Sequence, residues 1–266
     1  MPRRNAEAAE RGDDVLDAER FKEGLREHAR GLAAAGAAGP SARVPTCPEW
    51  TLRDLVGHVG QAHRWTSHLI RTGGTDVLNE LPRTTPDSPA DWPGWLRDGA
   101  AELIGAFEAK PDGSVDHPLL GTWPTVMWLR RMAHETAVHH ADGARTAGTP
   151  FAMAPDLAAD AIDEFLGLIT SVTAAAHKPE LAELRGTGET LCLRPAEPSL
   201  PGWLITRTPD GPVWEGGARD ADMTITGPVQ DLLLVFARRL APDDAAEVKV
   251  TGDASLLDHW LARTAV

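Results

Sequence analysis

The stretch MWLRRMAHETAVHHADGAR, residues 127–145, decides how the rest of the chain is read. Its composition is helical throughout, Thr125 after Pro124 supplies an N-cap, and Thr146-Ala147-Gly148 supplies an exit. Within it Glu135 and His139 stand four residues apart, which on a helix of about 100° per residue puts them about 40° apart on one face. Trp128, Met132 and Asp142 share that stripe, so the face is expected to point inward. A carboxylate and an imidazole turned towards a core need a partner, and a divalent metal is one such partner. The zincin pattern H-E-x-x-H does not apply, because the string His134-Glu135-Thr136-Ala137-Val138-His139 is one residue too long. On a helix His134 and His139 fall about 140° apart and do not easily chelate together.

The whole chain has 266 residues, enough for two ordinary domains. Its 26 basic and 39 acidic residues give a net charge of -13, spread along the chain. That balance argues against nucleic acid or an anionic membrane as partner, and a monomer or weak homo-oligomer is expected. Cys47 and Cys192 are too few and too far apart for a disulfide framework or a C-x-x-C site, which fits a reducing cytoplasm. Arg3-Arg4 is followed by Asn5-Ala6-Glu7 rather than an apolar run, so no secretory or twin-arginine signal is read. The longest apolar run, Leu32 to Ala38, is far below the roughly 18 residues that a spanning helix needs.

Taken in order, residues 1–12 are polar, charged and aperiodic, and are expected to be disordered. Residues 13–176 read as a helical bundle. A first helix runs from Val15 to about Ala35 on Phe21, Leu25 and Leu32. A second, Leu52 to about Thr72, is capped by Thr51 with Asp54 returning the bond. A third spans Trp92 to Ala109, the Glu135/His139 helix is fourth, and Pro155 to Ala176 makes a fifth. On the second helix Leu55, His58, Ala62, Trp65 and Leu69 follow a core seam, so His58 points inward. His63 and His68 fall off that seam and are expected to face solvent, and His134 and His140 to lie at the surface or rim. Trp50, Trp65 and Trp128 are expected in the core. Residues 177–187 read as a linker, and residues 188–266 as a small α+β domain. In it, strands fall at Thr190–Leu193, Gly202–Arg207, Val213–Glu215, Ala221–Thr226 and Glu247–Thr251, with helices at Pro228–Leu240 and Ala254–Ala262.

The strings VPTCPEWTLRDLVGHVGQAHRW, Val44 to Trp65, and RRMAHETAVHHADGAR, Arg130 to Arg145, resemble the mycothiol-dependent maleylpyruvate isomerase family. The similarity continues at Leu157–Leu166 and Val250–Leu257. It implies a DinB-like N-terminal helical bundle followed by a small sterol-carrier-like α+β domain. It also implies a divalent metal, usually zinc, on His58, Glu135 and His139, with mycothiol as the thiol cosubstrate. The chain departs from the family in showing Ala141 where Trp often follows the His pair, and in an added His140.

On spacing alone, a histidine such as His58 is more often a buried, hydrogen-bonded side chain than a ligand, and a pair such as Glu135/His139 is usually an ordinary helix-surface pair. In the family setting three protein ligands leave a coordination position open, as in catalytic rather than structural zinc sites. The resemblance then implies an enzyme in which a metal-held thiolate adds to an activated alkene. Expelling the thiolate gives an isomerase; retaining it gives a mycothiol S-transferase. The third reading is a non-enzymatic, metal-stabilised binding protein, which requires a fourth protein ligand. Asp142 is the candidate acceptor for a ligand imidazole N–H. Arg238 and Arg239, at a helix end in the second domain, are the candidate catalytic cations for a substrate anion, against a plain role complementing the helix dipole.

Overall fold

The chain divides into two units, one spanning Leu16–Ala152 and the other running from Met153 onward. The structure, a computed structural model, describes residues 16–74, 85–117, 121–171 and 178–264. The N-terminal segment 1–12, the last residues of the expected fifth helix and the first of the expected linker lie outside the described residues.

In the first unit, α1 (Ala18–Ala34) begins where Asp17 accepts the backbone N–H of Arg20 at 2.8 Å, and it buries Phe21, Leu25 and Leu32. α2 (Leu52–Thr72) carries the expected capping box of Thr51 and Asp54 and ends at Gly73, whose φ of 67° suits a residue without Cβ. α3 (Trp92–Glu108) has a proline in its first turn, and α4 (Thr125–Ala147) stops at Gly148 with φ 65°. α4 packs against α1 and α2, which in turn pack on α3. Thr125 is the first residue of α4 rather than its cap, and its hydroxyl donates to the Lys110 carbonyl at 2.8 Å. Two short antiparallel pairs, β1 (Arg43–Val44) with β2 (Cys47–Thr51) and β3 (Ser114–His117) with β4 (Gly121–Pro124), join the helices. They are too short for alternation to reveal them in the sequence.

Several side chains lie where the hydrophobic periodicity does not place them. His63 and His134 are buried, at 0 % and 2 % exposure, rather than facing solvent. His63 Nε2 donates to Thr136 Oγ1 at 2.8 Å, and that hydroxyl donates onward to the Met132 carbonyl at 2.6 Å. The bond supplies the polar partner that burial demands. His134 stands edge-on to Phe21, with ring centroids 5.9 Å apart. His140 turns towards α1, where its Nδ1 meets that of buried His28 at 3.0 Å. A Cβ on Gly31 would fall 2.2 Å from the His140 ring, so only glycine admits it. Trp128 is buried as expected, whereas Trp50 and Trp65 are half-buried.

In the second unit, a five-stranded sheet has the order β7-β6-β5-β8-β9. The strands are β5 (Thr190–Pro195), β6 (Trp203–Thr208), β7 (Gly211–Gly216), β8 (Met223–Gly227) and β9 (Lys249–Gly252), of which β5 and β8 run parallel. The Pro209-Asp210 turn joins β6 to β7, as its composition predicts. The helices are α5 (Pro155–Ile169), α6 (Val229–Phe236) and α7 (Ala254–Arg263). This is the expected small α+β fold after a helical one, with a boundary that differs from the sequence reading. α5, assigned there to the bundle, packs on α6 within the second unit, and Asp163 accepts the Trp203 indole N–H at 2.5 Å. The buried stripe of α5, Leu157, Ala161, Ile162 and Leu166, reveals that the helix has a partner but not which one. No described helix is long and apolar enough to cross a membrane.

Burial drives the pKa of His28 and of His63 from 6.5 down to about 3, with smaller contributions from the charges around each. Both rings are therefore neutral in the folded state, while the unfolded chain takes up their protons below pH 6.5. Stability is complete above that value and is lost as pH falls towards 3, by roughly 2 kcal/mol for each histidine at pH 5. Urea unfolding at pH 7 and pH 5 checks this on the wild type and on His63→Gln, which keeps a donor near Thr136. The variant is expected to lose about 2 kcal/mol less than the wild type between the two pH values; equal losses would contradict the account.

Candidate metal centre

α2 and α4 run antiparallel: His58 meets Glu135 at one level, and seven residues later on α2 Trp65 lies against Trp128, seven residues earlier on α4. Their facing stripes bring three side chains to a point. His58 Nε2 and His139 Nε2 each lie 3.2 Å from the same oxygen, Oε1 of Glu135. The ligand atoms of the three all lie within 4.8 Å of one another. Around a tetrahedral zinc with bonds of about 2.0–2.1 Å, neighbouring ligand atoms stand about 3.3 Å apart. The two shared-oxygen distances agree with that edge. Among the described residues no fourth His, Cys, Asp or Glu joins the group.

The surroundings fix which atoms face the centre. Asp142, wholly buried, accepts His139 Nδ1–H at 2.9 Å through one oxygen and the Thr46 hydroxyl at 2.5 Å through the other. Thr46 lies between β1 and β2. With Nδ1–H committed to Asp142, His139 presents Nε2 to Glu135 Oε1. In a neutral ring two lone pairs would then face each other at 3.2 Å, so the position demands a cation. Burial alone would depress His139, yet the hydrogen bonds to Asp142 and Glu135 outweigh it and carry its pKa up to about 9. Burial would raise Glu135, but the Arg131 guanidinium and then the two imidazoles hold it well below the usual carboxylate range. Arg131 Nη2 donates to Glu135 Oε2, the oxygen that the imidazoles do not share. A proton or a divalent ion can meet the demand for positive charge, and the donor set of two imidazoles and one carboxylate suits zinc.

Access is graded across the group, the His58 side chain being 36 % exposed, Glu135 17 % and His139 8 %. Trp50, on β2, packs beside both imidazoles, its ring centroid 4.9 Å from that of His58 and 6.0 Å from that of His139. The spacing rule that separates His134 from His139 holds in three dimensions, since His134 turns to Phe21 on α1. The helix positions thus bring together His58, Glu135, His139 and Asp142, as the sequence predicts. Sequence reasoning missed Arg131, Thr46 and Trp50 as parts of the site. The i,i+4 relation of Arg131 to Glu135 was a usable signal, whereas Thr46 and Trp50 arrive through β-strand geometry that local periodicity does not encode. Arg238 and Arg239 belong to the other unit, just past the end of α6. Arg238 is exposed with φ 60°, in the left-handed region, and Arg239 Nη1 donates to the Ala237 carbonyl at 2.8 Å. The expected helix to Leu240 thus stops at Phe236.

Two family profiles match the chain: the mycothiol maleylpyruvate isomerase N-terminal domain over residues 21–144, and the MDMPI C-terminal domain over residues 156–259. The division between the two units falls in the interval separating these matches. No curated protein sequence matches. Among solved structures, the fold is similar to that of a mycothiol-dependent maleylpyruvate isomerase, with a TM-score of 0.54 at 15% identity, covering 89% of this chain and 93% of that one. A histidine-to-alanine variant of a mycothiol-dependent maleylpyruvate isomerase matches with a TM-score of 0.53 at the same identity and coverage. With both units matched in order, and with a common fold, the chain belongs to the mycothiol maleylpyruvate isomerase family of enzymes.

Proposed function

We propose that His58, Glu135 and His139 hold a divalent metal, zinc by its donor set, and that the enzyme uses it with mycothiol to isomerise a cis alkene of the maleylpyruvate kind. The convergence of two imidazole nitrogens on one carboxylate oxygen carries this reading. A metal bound there supplies the positive charge that keeps a thiol deprotonated near neutral pH.

The protein's own side chains have distinct tasks. Asp142 locks the His139 tautomer and ring orientation, and Thr46 steadies Asp142. Trp50 packs against the rings of His58 and His139 and restricts their movement. The absence of a fourth protein ligand among the described residues leaves room for a thiol, which favours an enzyme over a closed structural site. The exposed Arg238, with Arg239, remains the proposed partner for a substrate carboxylate. In the substrate, a sulfur–carbon bond forms as the alkene electron pair moves to the conjugated carbonyl. Rotation about the resulting single bond and expulsion of the thiolate then restore the double bond in trans form. Thiol is regenerated, and no oxidant or proton is consumed. The same site with the adduct retained is a mycothiol S-transferase. Both readings place the enzyme in a reducing cytoplasm, where the cosubstrate stays a thiol.

The test combines elemental analysis with turnover of maleylpyruvate in the presence of mycothiol. About one zinc per wild-type chain is expected, lost in His58→Ala and His139→Ala together with cis-to-trans conversion, while total free thiol stays constant. Stoichiometric loss of thiol instead identifies the transferase. A wild type that takes up no added zinc contradicts both.

A further inference from the structure

Glu135 divides its two oxygens between different partners. Oε1 faces both imidazoles at 3.2 Å, while Oε2 accepts from Arg131 one turn earlier on α4. As a device for stabilising the helix this pair is poorly arranged, because an acid placed before its base suits the helix dipole better than the reverse order found here. Exposure also weakens it as a stabilising ion pair, since the Arg131 side chain is 32 % accessible. Its geometric effect on Glu135 is larger. An untethered carboxylate can rotate both oxygens onto one cation, whereas one whose second oxygen is held by a guanidinium offers a single oxygen.

We propose that Arg131 is a positioning residue that keeps Glu135 a one-oxygen ligand, and thereby keeps open the coordination position that a thiol must enter. This rests on the metal reading above and adds to it a reason why the site stays open. Aliphatic side chains at 131 would release Oε2, which then fills the vacant position. A lysine would still hold it by charge, though without the planar donor fork of arginine.

Cobalt(II) added to the full-length protein in place of zinc is the probe, because its visible absorption is strong in four-coordinate sites and weak in higher coordination. The wild type is expected to show the strong bands and, on addition of N-acetylcysteine, a near-ultraviolet sulfur-to-cobalt charge-transfer band. Arg131→Met is expected to bind cobalt with a several-fold loss of visible absorbance and to gain no thiol band, while Arg131→Lys restores both. Wild-type spectra in Arg131→Met, with and without thiol, would overturn the role of Arg131 and leave the metal reading standing. Failure of the wild type to bind cobalt would overturn the metal reading itself, and the inference with it. Circular dichroism and thermal unfolding check that each variant is folded; should Arg131→Met fail to fold, Arg131→Ala is read by the same criteria.

Discussion

A carboxylate sealed from water sets the terms for everything around it. Asp142 has no exposure, and both its oxygens are committed, one to His139 Nδ1 and the other to the Thr46 hydroxyl. Burying such a charge is costly unless it is paired and hydrogen-bonded. The pairing orients His139 and aims Nε2 at Glu135 Oε1, and His58 reaches that same oxygen from the neighbouring helix. Two carboxylates facing one shared imidazole create a local demand for positive charge that Arg131 only partly meets. The centre is thus a set of mutually dependent orientations on two helices rather than three independent side chains.

That dependence explains what could be read from residue order. Spacing along one helix places Glu135, His139 and Asp142 on one stripe and removes His134 from it, and the structure agrees on each. The seam of α2 likewise turns His58 inward. Periodicity fails where a polar group is buried by a specific hydrogen bond. His63 lies off the seam yet is wholly buried because Thr136 accepts from it, and His140 lies against α1 because Gly31 leaves space for its ring. Nothing in a pattern of apolar residues marks such exceptions. Thr46 and Trp50 reach the centre from a short β-strand pair, a length at which alternation carries no signal.

The division into units teaches a related point. The fifth helix has an amphipathic stripe that any helical bundle could use, and residue order alone assigns it to the helices that precede it. Its partner is α6, reached through a long sequence separation, and the Asp163–Trp203 hydrogen bond ties it to the sheet as well. An apolar face records that burial occurs; only tertiary pairing says against what. The helical unit accordingly holds the whole of the candidate centre, and each of its ligand and supporting residues falls within the matched N-terminal domain.

The central claim is that this centre holds a metal with a position left for sulfur. X-ray absorption at the zinc K edge of the loaded protein, with and without mycothiol, addresses it most directly. The account predicts a shell of nitrogen and oxygen neighbours at about 2.0–2.1 Å, joined on addition of mycothiol by one sulfur at about 2.3 Å. A first shell that stays free of sulfur in the presence of mycothiol would contradict it.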